Sequence, residues 1–154
     1  MSVIATLITD RTEQDVLDVI EALKSGANYV PMKGAYNADD LNRVGSAVNY
    51  LVGEYDELGY LINDFVPLKI TWIVTDVPTD ADYDNYLNWV SALRDYIPNA
   101  IDADIYTLPL TMDRIDFEDA NDIERVLQEV DIIIENIKAS WFYANDLQGG
   151  EVLG

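Results

Sequence analysis

The sequence contains neither cysteine nor histidine. Without cysteine, the chain cannot form a disulfide or a thiolate metal site, and its redox compartment stays open. Without histidine, it lacks the usual general base, the commonest zinc ligand and the imidazole of every serine or cysteine triad. We therefore expect no enzymatic activity, no catalytic residues, no bound metal and no cofactor.

Positive charge is scarce. Nine lysines and arginines stand against 29 aspartates and glutamates, which gives a net charge of -20. A field of this sign repels nucleic-acid phosphates and anionic lipid headgroups, so we expect no nucleic-acid partner and no membrane partner. Cations or basic proteins would be attracted instead. The simpler interpretation is a solvated acidic surface that keeps the protein in solution.

Long apolar runs are also missing. The run Val3–Ile8 is too short for a signal-peptide core and follows no basic region, and no segment approaches the roughly 18 apolar residues of a transmembrane helix. We therefore expect a protein that stays in the cytosol or leaves it by assembly or lysis. Its 154 residues, 49% of them hydrophobic, are enough for one core, so a single domain over 1–154 is predicted.

The longest helical pattern runs from Phe117 to Tyr143. Asp116 and Asp119 form an acidic variant of the capping box at its start. Apolar residues repeat at three or four positions along it, at Ile123, Val126, Leu127, Val130, Ile133, Ile134, Ile137 and Trp141. A helix with so continuous a stripe depends on packing for its stability, so the rest of the chain must cover it.

Three shorter helices are predicted upstream from their caps and apolar stripes. Their start and end residues are Thr12 and Gly26, Asn37 and Gly59, and Thr79 and Pro98. In the first of them, one face carries Val16, Val19, Ile20 and Leu23. The predicted fold class is therefore all-α, a bundle of about four helices joined by long connections.

Three segments outside the helices carry separate predictions. Residues 1–9 are predicted to be an extended arm or an edge strand, and residues 146–154 a loose tail that follows two glycines. The β-branched and aromatic stretch 69–74 is either a short strand or an extended connection whose Trp72 fills the bundle.

Two acidic clusters have the composition of metal sites. The run from Asp80 to Asp84 alternates acids as a calcium loop does, but Asn85 and Ser91 replace the glycine and the glutamate that such a loop needs. Helix capping explains these acids better. A second group of carboxylates in the last long connection consists of Asp102, Asp104 and Asp113.

Protein contacts are the remaining candidate for function. The candidate interface residues are Ile4, Leu7 and Ile8 in the arm, Arg43 and Trp72, and the run Trp141, Phe142 and Tyr143. Arg43 has an alternative as the ion-pair partner of Asp39 or Asp40, and Trp72 has one as a core residue. The three aromatics point in successive directions around a helix, so only one can face its own bundle. Either the tail or another subunit covers the other two.

Several stretches together carry a family resemblance. They are Leu7–Thr12, Lys33–Val44, Trp72 with Asp76–Thr79, Tyr86-Leu87, Leu93-Arg94, Ala120–Glu124 and Trp141–Tyr143. In order and approximate spacing they resemble a small domain encoded in phages and prophages of Gram-positive bacteria, found as or within tail-associated minor structural proteins. Residues 144–151 depart from the pattern expected after the aromatic run.

The resemblance implies a non-enzymatic virion component, associated with the tail, baseplate or fibre and assembled in the host cytoplasm. Its implied partners are other phage structural proteins and copies of itself, so a homo-oligomer is expected. It supplies no catalytic residue. The alternative hypotheses are an acidic cytosolic adaptor or inhibitor that binds a basic partner, and a metal-assisted hydrolase built on clustered carboxylates.

Overall fold

The computed structural model describes residues 2–27, 32–96 and 107–153, with side chains in the last helix as far as Trp141. This part of the chain contains four α-helices and one short 3-10 helix, Val3–Thr6. The α-helices are α1 (Glu13–Lys24), α2 (Ala38–Glu57), α3 (Asp80–Asp95) and α4 (Phe117–Leu153). The predicted all-α class and the four predicted helices are confirmed.

Side-chain caps begin all four helices, as their sequences predict. Each cap residue exchanges hydrogen bonds with an acid three positions later, in the pairs Thr12 and Asp15, Asn37 and Asp40, Thr79 and Asp82, and Asp116 and Asp119. These bonds satisfy amide groups that have no partner within the helix. At the other ends of α1 and α2, Gly26 and Gly59 adopt the positive φ angles of 92° and 86° that favour glycine.

The core lies between α2, α3 and α4, which all pack against one another. The apolar stripe of α2 and its C-cap is buried and consists of Leu41, Val44, Val48, Leu51, Val52, Tyr55 and Leu58. In α4, Ile123, Val126, Leu127, Val130 and Ile134 are buried. Ile133 and Ile137 are only half-buried, because they lie at the edge of the stripe. Burial of each of the fully buried aliphatic side chains stabilises the folded state by about 1.5–3 kcal/mol.

The N-terminal segment is not the predicted extended arm. Val3–Thr6 form a 3-10 helix capped by Ser2, and this helix packs against α2 and α4. Ile4 and Leu7 thereby become part of the core. Tertiary packing decides the conformation here, because a β-prone run needs a neighbouring strand before it can form an edge strand.

The stretch 69–74 is extended but pairs with no strand in the described chain. Two asparagines of α2 take the place of a partner strand. Asn49 bonds both the N–H and the C=O of Leu68, at 2.8 and 3.0 Å, and Asn42 does the same for Trp72, at 2.8 and 2.9 Å. The second alternative for this stretch is therefore correct: it is a connection whose Trp72 is buried in the core.

The predicted loose tail, 146–154, is helical as far as Leu153, because α4 continues past the predicted end at Tyr143. Gly149 and Gly150 lie inside the helix, where each costs only about 1 kcal/mol relative to alanine. No proline follows them to stop it. Within the described residues, no helix combines the length and the apolarity that crossing a bilayer requires.

The cap of α3 predicts a pH-dependent contribution to stability. Hydrogen bonds from the Thr79 backbone and side chain lower the pKa of Asp82 below its ordinary value of 3.8. Its ionised form therefore stabilises the fold above pH 3.8, and this contribution is lost as the pH falls through the lower pKa of the folded state. We expect the difference in Tm between the parent and Asp82→Asn to shrink as the pH falls through this range.

Thermal melts across this pH range measure the difference. Asp84→Asn is the matched control, since it removes the same charge from the same helix but no capping bond. A difference in Tm between the parent and Asp82→Asn that stays constant down to the lowest pH would contradict the lowered pKa of Asp82.

Candidate functional site

Three buried charged side chains and one that is partly buried form one cluster, which we call the ion cluster: Arg11, Asp40 and Glu124 with Arg43. Glu124 is at its centre and is fully buried. Its carboxylate accepts hydrogen bonds from Arg11 Nη2 at 2.6 Å, from Arg43 Nε and Nη2 at 2.9 and 2.8 Å, and from the Ile8 amide at 2.5 Å. Four donors occupy the roughly four lone-pair directions of a carboxylate.

Asp40 connects the ion cluster to the start of α2. One oxygen, Oδ1, accepts from Arg11 Nη2 at 2.9 Å and from Arg43 Nη2, while Oδ2 accepts from the Asn37 amide at 2.8 Å. The same carboxylate thus caps the helix and balances the arginines. The predicted pairing of Arg43 with Asp39 or Asp40 is confirmed for Asp40.

Asn121 and Arg125 attach the N-terminal segment to the first turns of α4. The side chain of Asn121 bonds both the N–H and the C=O of Arg11, each at 2.9 Å, as the asparagines of α2 bond the connection. Arg125 donates to the Thr9 carbonyl at 2.9 Å. Residues 8–11 are therefore fixed along α4 almost entirely by polar contacts.

The electrostatics of the ion cluster favour the charged form of Arg43. Burial lowers the pKa of Arg43, but the hydrogen bonds and charges of Glu124 and Asp40 outweigh burial and raise that pKa above its ordinary value. The pKa of neighbouring Tyr36 is raised, first by burial and then by the charges of Glu124 and Asp40. Arg43 thus stays protonated and the Tyr36 phenol stays neutral over the whole physiological range.

This geometry fits a cross-link between chain segments. Two positive and two negative side chains balance, and Glu124 has no lone pair left to accept a proton from a substrate. The ion cluster joins the N-terminal segment, α2 and α4 at one point. Within the described residues, Arg11 Nε is the buried side-chain polar atom without a hydrogen-bond partner.

A cleft of about 380 Å³ opens beside the ion cluster, between the starts of α1 and α4. Its apolar wall consists of Val16, Ile115, Phe117 and Ala120, and Arg11 and Tyr36 contribute the polar part next to the ion cluster. Glu13 and Asp116 also line it. The cleft is large enough for one bulky side chain or a small ligand.

The structure buries three of the eight predicted interface residues and partly buries two more. Ile4, Leu7 and Trp72 are buried in the core, and Ile8 is half-buried with its amide bonded to Glu124. Arg43 has a side chain only 13% exposed and belongs to the ion cluster. The contacts that the structural alternative predicts for Arg43 and Trp72 are therefore present, and a docking role for either residue stays a prediction.

The aromatic run at the predicted end of α4 is described only in part. Trp141 is 46% exposed and lines a shallow cleft with Tyr60 and Ile137. The side chains of Phe142 and Tyr143 lie outside the described residues. The predicted contact at this run therefore stays a prediction, supported by the exposure of Trp141.

An exposed apolar face that sequence reasoning missed lies on α1. Only Val19 of this helix is buried, whereas Leu17, Ile20 and Leu23 are 49%, 42% and 51% exposed. Ile20 and Leu23 share the predicted apolar face with Val19 but are exposed, because α1 packs against no other described helix to the extent that α2, α3 and α4 pack together. Helical periodicity identifies an apolar face but not whether a neighbour covers it.

Comparison with protein-family models, with curated proteins and with solved structures found no match for this chain. A role for the protein is therefore inferred from the geometry of its own residues and from the pattern of its sequence.

The acidic clusters form no metal site within the described residues, where no group of three or more aspartates or glutamates is placed to hold an ion. Asp80 and Asp82 belong to the first turn of α3, and Asp82 caps it. Asp102 and Asp104 lie outside the described residues, so the predicted grouping with Asp113 stays a hypothesis.

Proposed function

We propose that this chain is a non-enzymatic structural component of a phage virion, associated with the tail, baseplate or fibre, which works by docking to neighbouring virion proteins. The observation that carries the docking role is the exposed apolar face of α1 on a strongly acidic chain. Large apolar side chains held together at a surface are typical of a contact site. The virion role rests on the family resemblance of the sequence.

Three of the stretches that carry the resemblance meet in the ion cluster. Arg11 comes from the first, Asp40 and Arg43 from the second, and Glu124 from the stretch Ala120–Glu124. A fold that depends on this cross-link explains why these residue types occur together. Self-association stays part of the proposal, with the exposed Trp141 as its described candidate contact.

Purified particles test the virion role. We expect mass spectrometry of particles from the source cells to detect the chain at a copy number that fits closed symmetry with the other tail proteins. Replacement by the triple variant Leu17→Gln, Ile20→Gln and Leu23→Gln should remove it from the particles while the soluble protein still melts cooperatively. Particles that never contain the parent chain would refute the virion role.

An acidic adaptor or inhibitor is the second candidate, favoured by the carboxylates along α1. Glu13, Asp15, Asp18 and Glu21 belong to this helix, against one basic residue, Lys24. Sedimentation of the chain at physiological and higher salt, alone and with tail proteins from the same gene cluster, separates the candidates. Complexes with tail proteins support the virion component, and complexes only with basic non-structural proteins support the adaptor.

A further inference from the structure

The exposed face of α1 continues into the cleft at the N-terminal end of that helix. Leu17, Ile20 and Leu23 occupy roughly a third of the helix circumference at about 100° per residue. Val16, next to Ile20 around the helix, lines the cleft between α1 and α4. An apolar ridge and an apolar cavity thus form one surface, which we call the α1 surface.

Carboxylates border the α1 surface. Glu13 and Glu21 lie one turn before and one turn after Leu17, in the same row of side chains. Both are exposed, and neither forms an ion pair with a described residue. Glu13 and Asp116 also line the cleft. Lys24, the one basic residue of α1, lies beside Ile20 and Glu21, so the charge around the apolar residues is negative in sum and balanced only in part.

A second copy of the chain fits this surface poorly. Two α1 surfaces would bring their glutamates together, and each protomer carries a net charge of -20. The 12-residue helix is only about 18 Å long, which is short for the roughly 800 Å² that each partner buries in a standard interface. Opposite charge on the partner removes the first difficulty, and a side chain inserted into the cleft adds buried area.

We propose that the α1 surface binds a basic amphipathic helix of another protein. Its apolar stripe lies on Leu17, Ile20 and Leu23, one bulky apolar side chain enters the cleft, and its lysines or arginines pair with Glu13, Glu21 and Asp116. This is the groove mode of helix recognition, in which anchors at helical spacing supply the contact. The inference rests on the proposed docking role and names the class of partner.

Designed peptides test this proposal with the full chain. The probe is a fluorescent helical peptide with leucines at one face and lysines elsewhere, and its control is a scrambled peptide with the same composition and charge. We expect Leu17→Gln, Ile20→Gln and Leu23→Gln together to weaken binding of the helical probe about tenfold or more. Binding of the scrambled peptide should be weak, salt-sensitive and the same for both proteins.

The connection between α2 and α3 offers a matched control variant. Ile73, Val74 and Val77 are at least as exposed as the three residues of α1, and Ile73→Gln, Val74→Gln and Val77→Gln together should leave binding unchanged. Equal loss in both triple variants would overturn the proposal. So would a concentration-dependent dimer that disappears in the α1 variant, which would assign the surface to a second copy.

Thermal melting checks whether the α1 surface is free. The α1 triple variant should melt within about 6 °C of the parent, because each exposed substitution changes the free energy of unfolding by no more than about 0.5 kcal/mol. A large drop in its Tm would mean that the chain covers this face itself and would overturn the proposal. If the chain is found in particles but does not bind the helical peptide, only this inference is refuted. If the chain binds the peptide but is absent from particles, only the virion role is refuted.

Discussion

Glu124→Ala is expected to lower the free energy of unfolding by about 3–5 kcal/mol, because it leaves the buried Arg11 and the largely buried Arg43 with Asp40 as their one remaining carboxylate partner. It removes all four hydrogen bonds that the carboxylate accepts. For a chain of this length the loss corresponds to a fall in Tm of roughly 6–20 °C. Thermal and denaturant melts followed by circular dichroism measure both quantities.

Glu135→Ala is the matched control, since it removes the same charge from the same helix. Its side chain is 57% exposed and pairs only loosely with Lys138, at 3.4 Å. Exposed pairs of this kind contribute about 0–1 kcal/mol. If Glu124→Ala and Glu135→Ala lowered Tm by the same amount, the ion cluster would not stabilise the fold in solution.

A double variant separates the charge from the packing. Arg43→Met with Glu124→Met removes one charge of each sign and leaves Arg11 paired with Asp40. We expect it to be more stable than Glu124→Ala, because well-packed apolar residues often replace a buried ion pair with little loss. A double variant less stable than Glu124→Ala would show that the individual hydrogen bonds matter more than charge balance.

Local signals in the sequence predict the helices well. Caps and apolar stripes need only residues within a few positions, so the starts of α1 to α4 and the core residues of α2 can be derived from the sequence alone. The end of α4 cannot, because glycine inside a helix costs too little to end it. The same limit applies to residues 69–74, where the choice between strand and connection depends on Asn42 and Asn49.

Apart from the local pair of Arg43 and Asp40, the ion cluster could not be predicted in this way. Arg11 and Glu124 are 113 positions apart, and Arg43 and Glu124 are 81 apart. Each looks like an ordinary surface charge when only its neighbours in sequence are considered. The one signal in the sequence is that Arg11, Arg43 and Glu124 all lie in the stretches that carry the family resemblance.

For α1, the sequence pattern predicts more burial than the structure shows. The amphipathic pattern of residues 13–24 predicts a core-facing stripe, because most amphipathic helices in globular domains bury their apolar side. Here the chain fixes α1 through its first turn, by the cap, by Lys33 and by the close approach of Gly34. Beyond that turn only Val19 is buried, and Leu17, Ile20 and Leu23 are exposed.

Gly34→Ala is the substitution that tests how α1 is held. A Cβ atom at this position would overlap the carbonyl group of Asp15 and lie 2.6 Å from the amide nitrogen of Val16. These are backbone atoms of a helix and cannot rotate away, so the loop or α1 must move. Such overpacking costs about 1–3 kcal/mol, or roughly 2–12 °C in Tm for a chain of this length.

Gly53→Ala provides the contrast for the same change of residue. No atom lies within 4 Å of the added Cβ, and Gly53 is inside α2, so alanine should raise stability by about 0.5–1 kcal/mol through helix propensity. Opposite signs of the change in Tm for the two variants are therefore expected. If replacing glycine had a general effect that does not depend on its surroundings, Tm would change in the same direction in both variants.

Hydrogen exchange locates the damage that Gly34→Ala causes. In the parent protein, Lys33 Nζ lies 2.9 Å from Asp10 Oδ1 and 3.8 Å from Asp15 Oδ2. Movement of the loop would separate Lys33 from both carboxylates, so α1 would lose its ion pair at Asp15. Amides of α1 should exchange faster than in the parent protein, while amides in the buried half of α4 keep most of their protection. If α1 kept its protection and the variant melted with the parent, the loop would not hold α1 in place. The α1 surface would then need another explanation for its position.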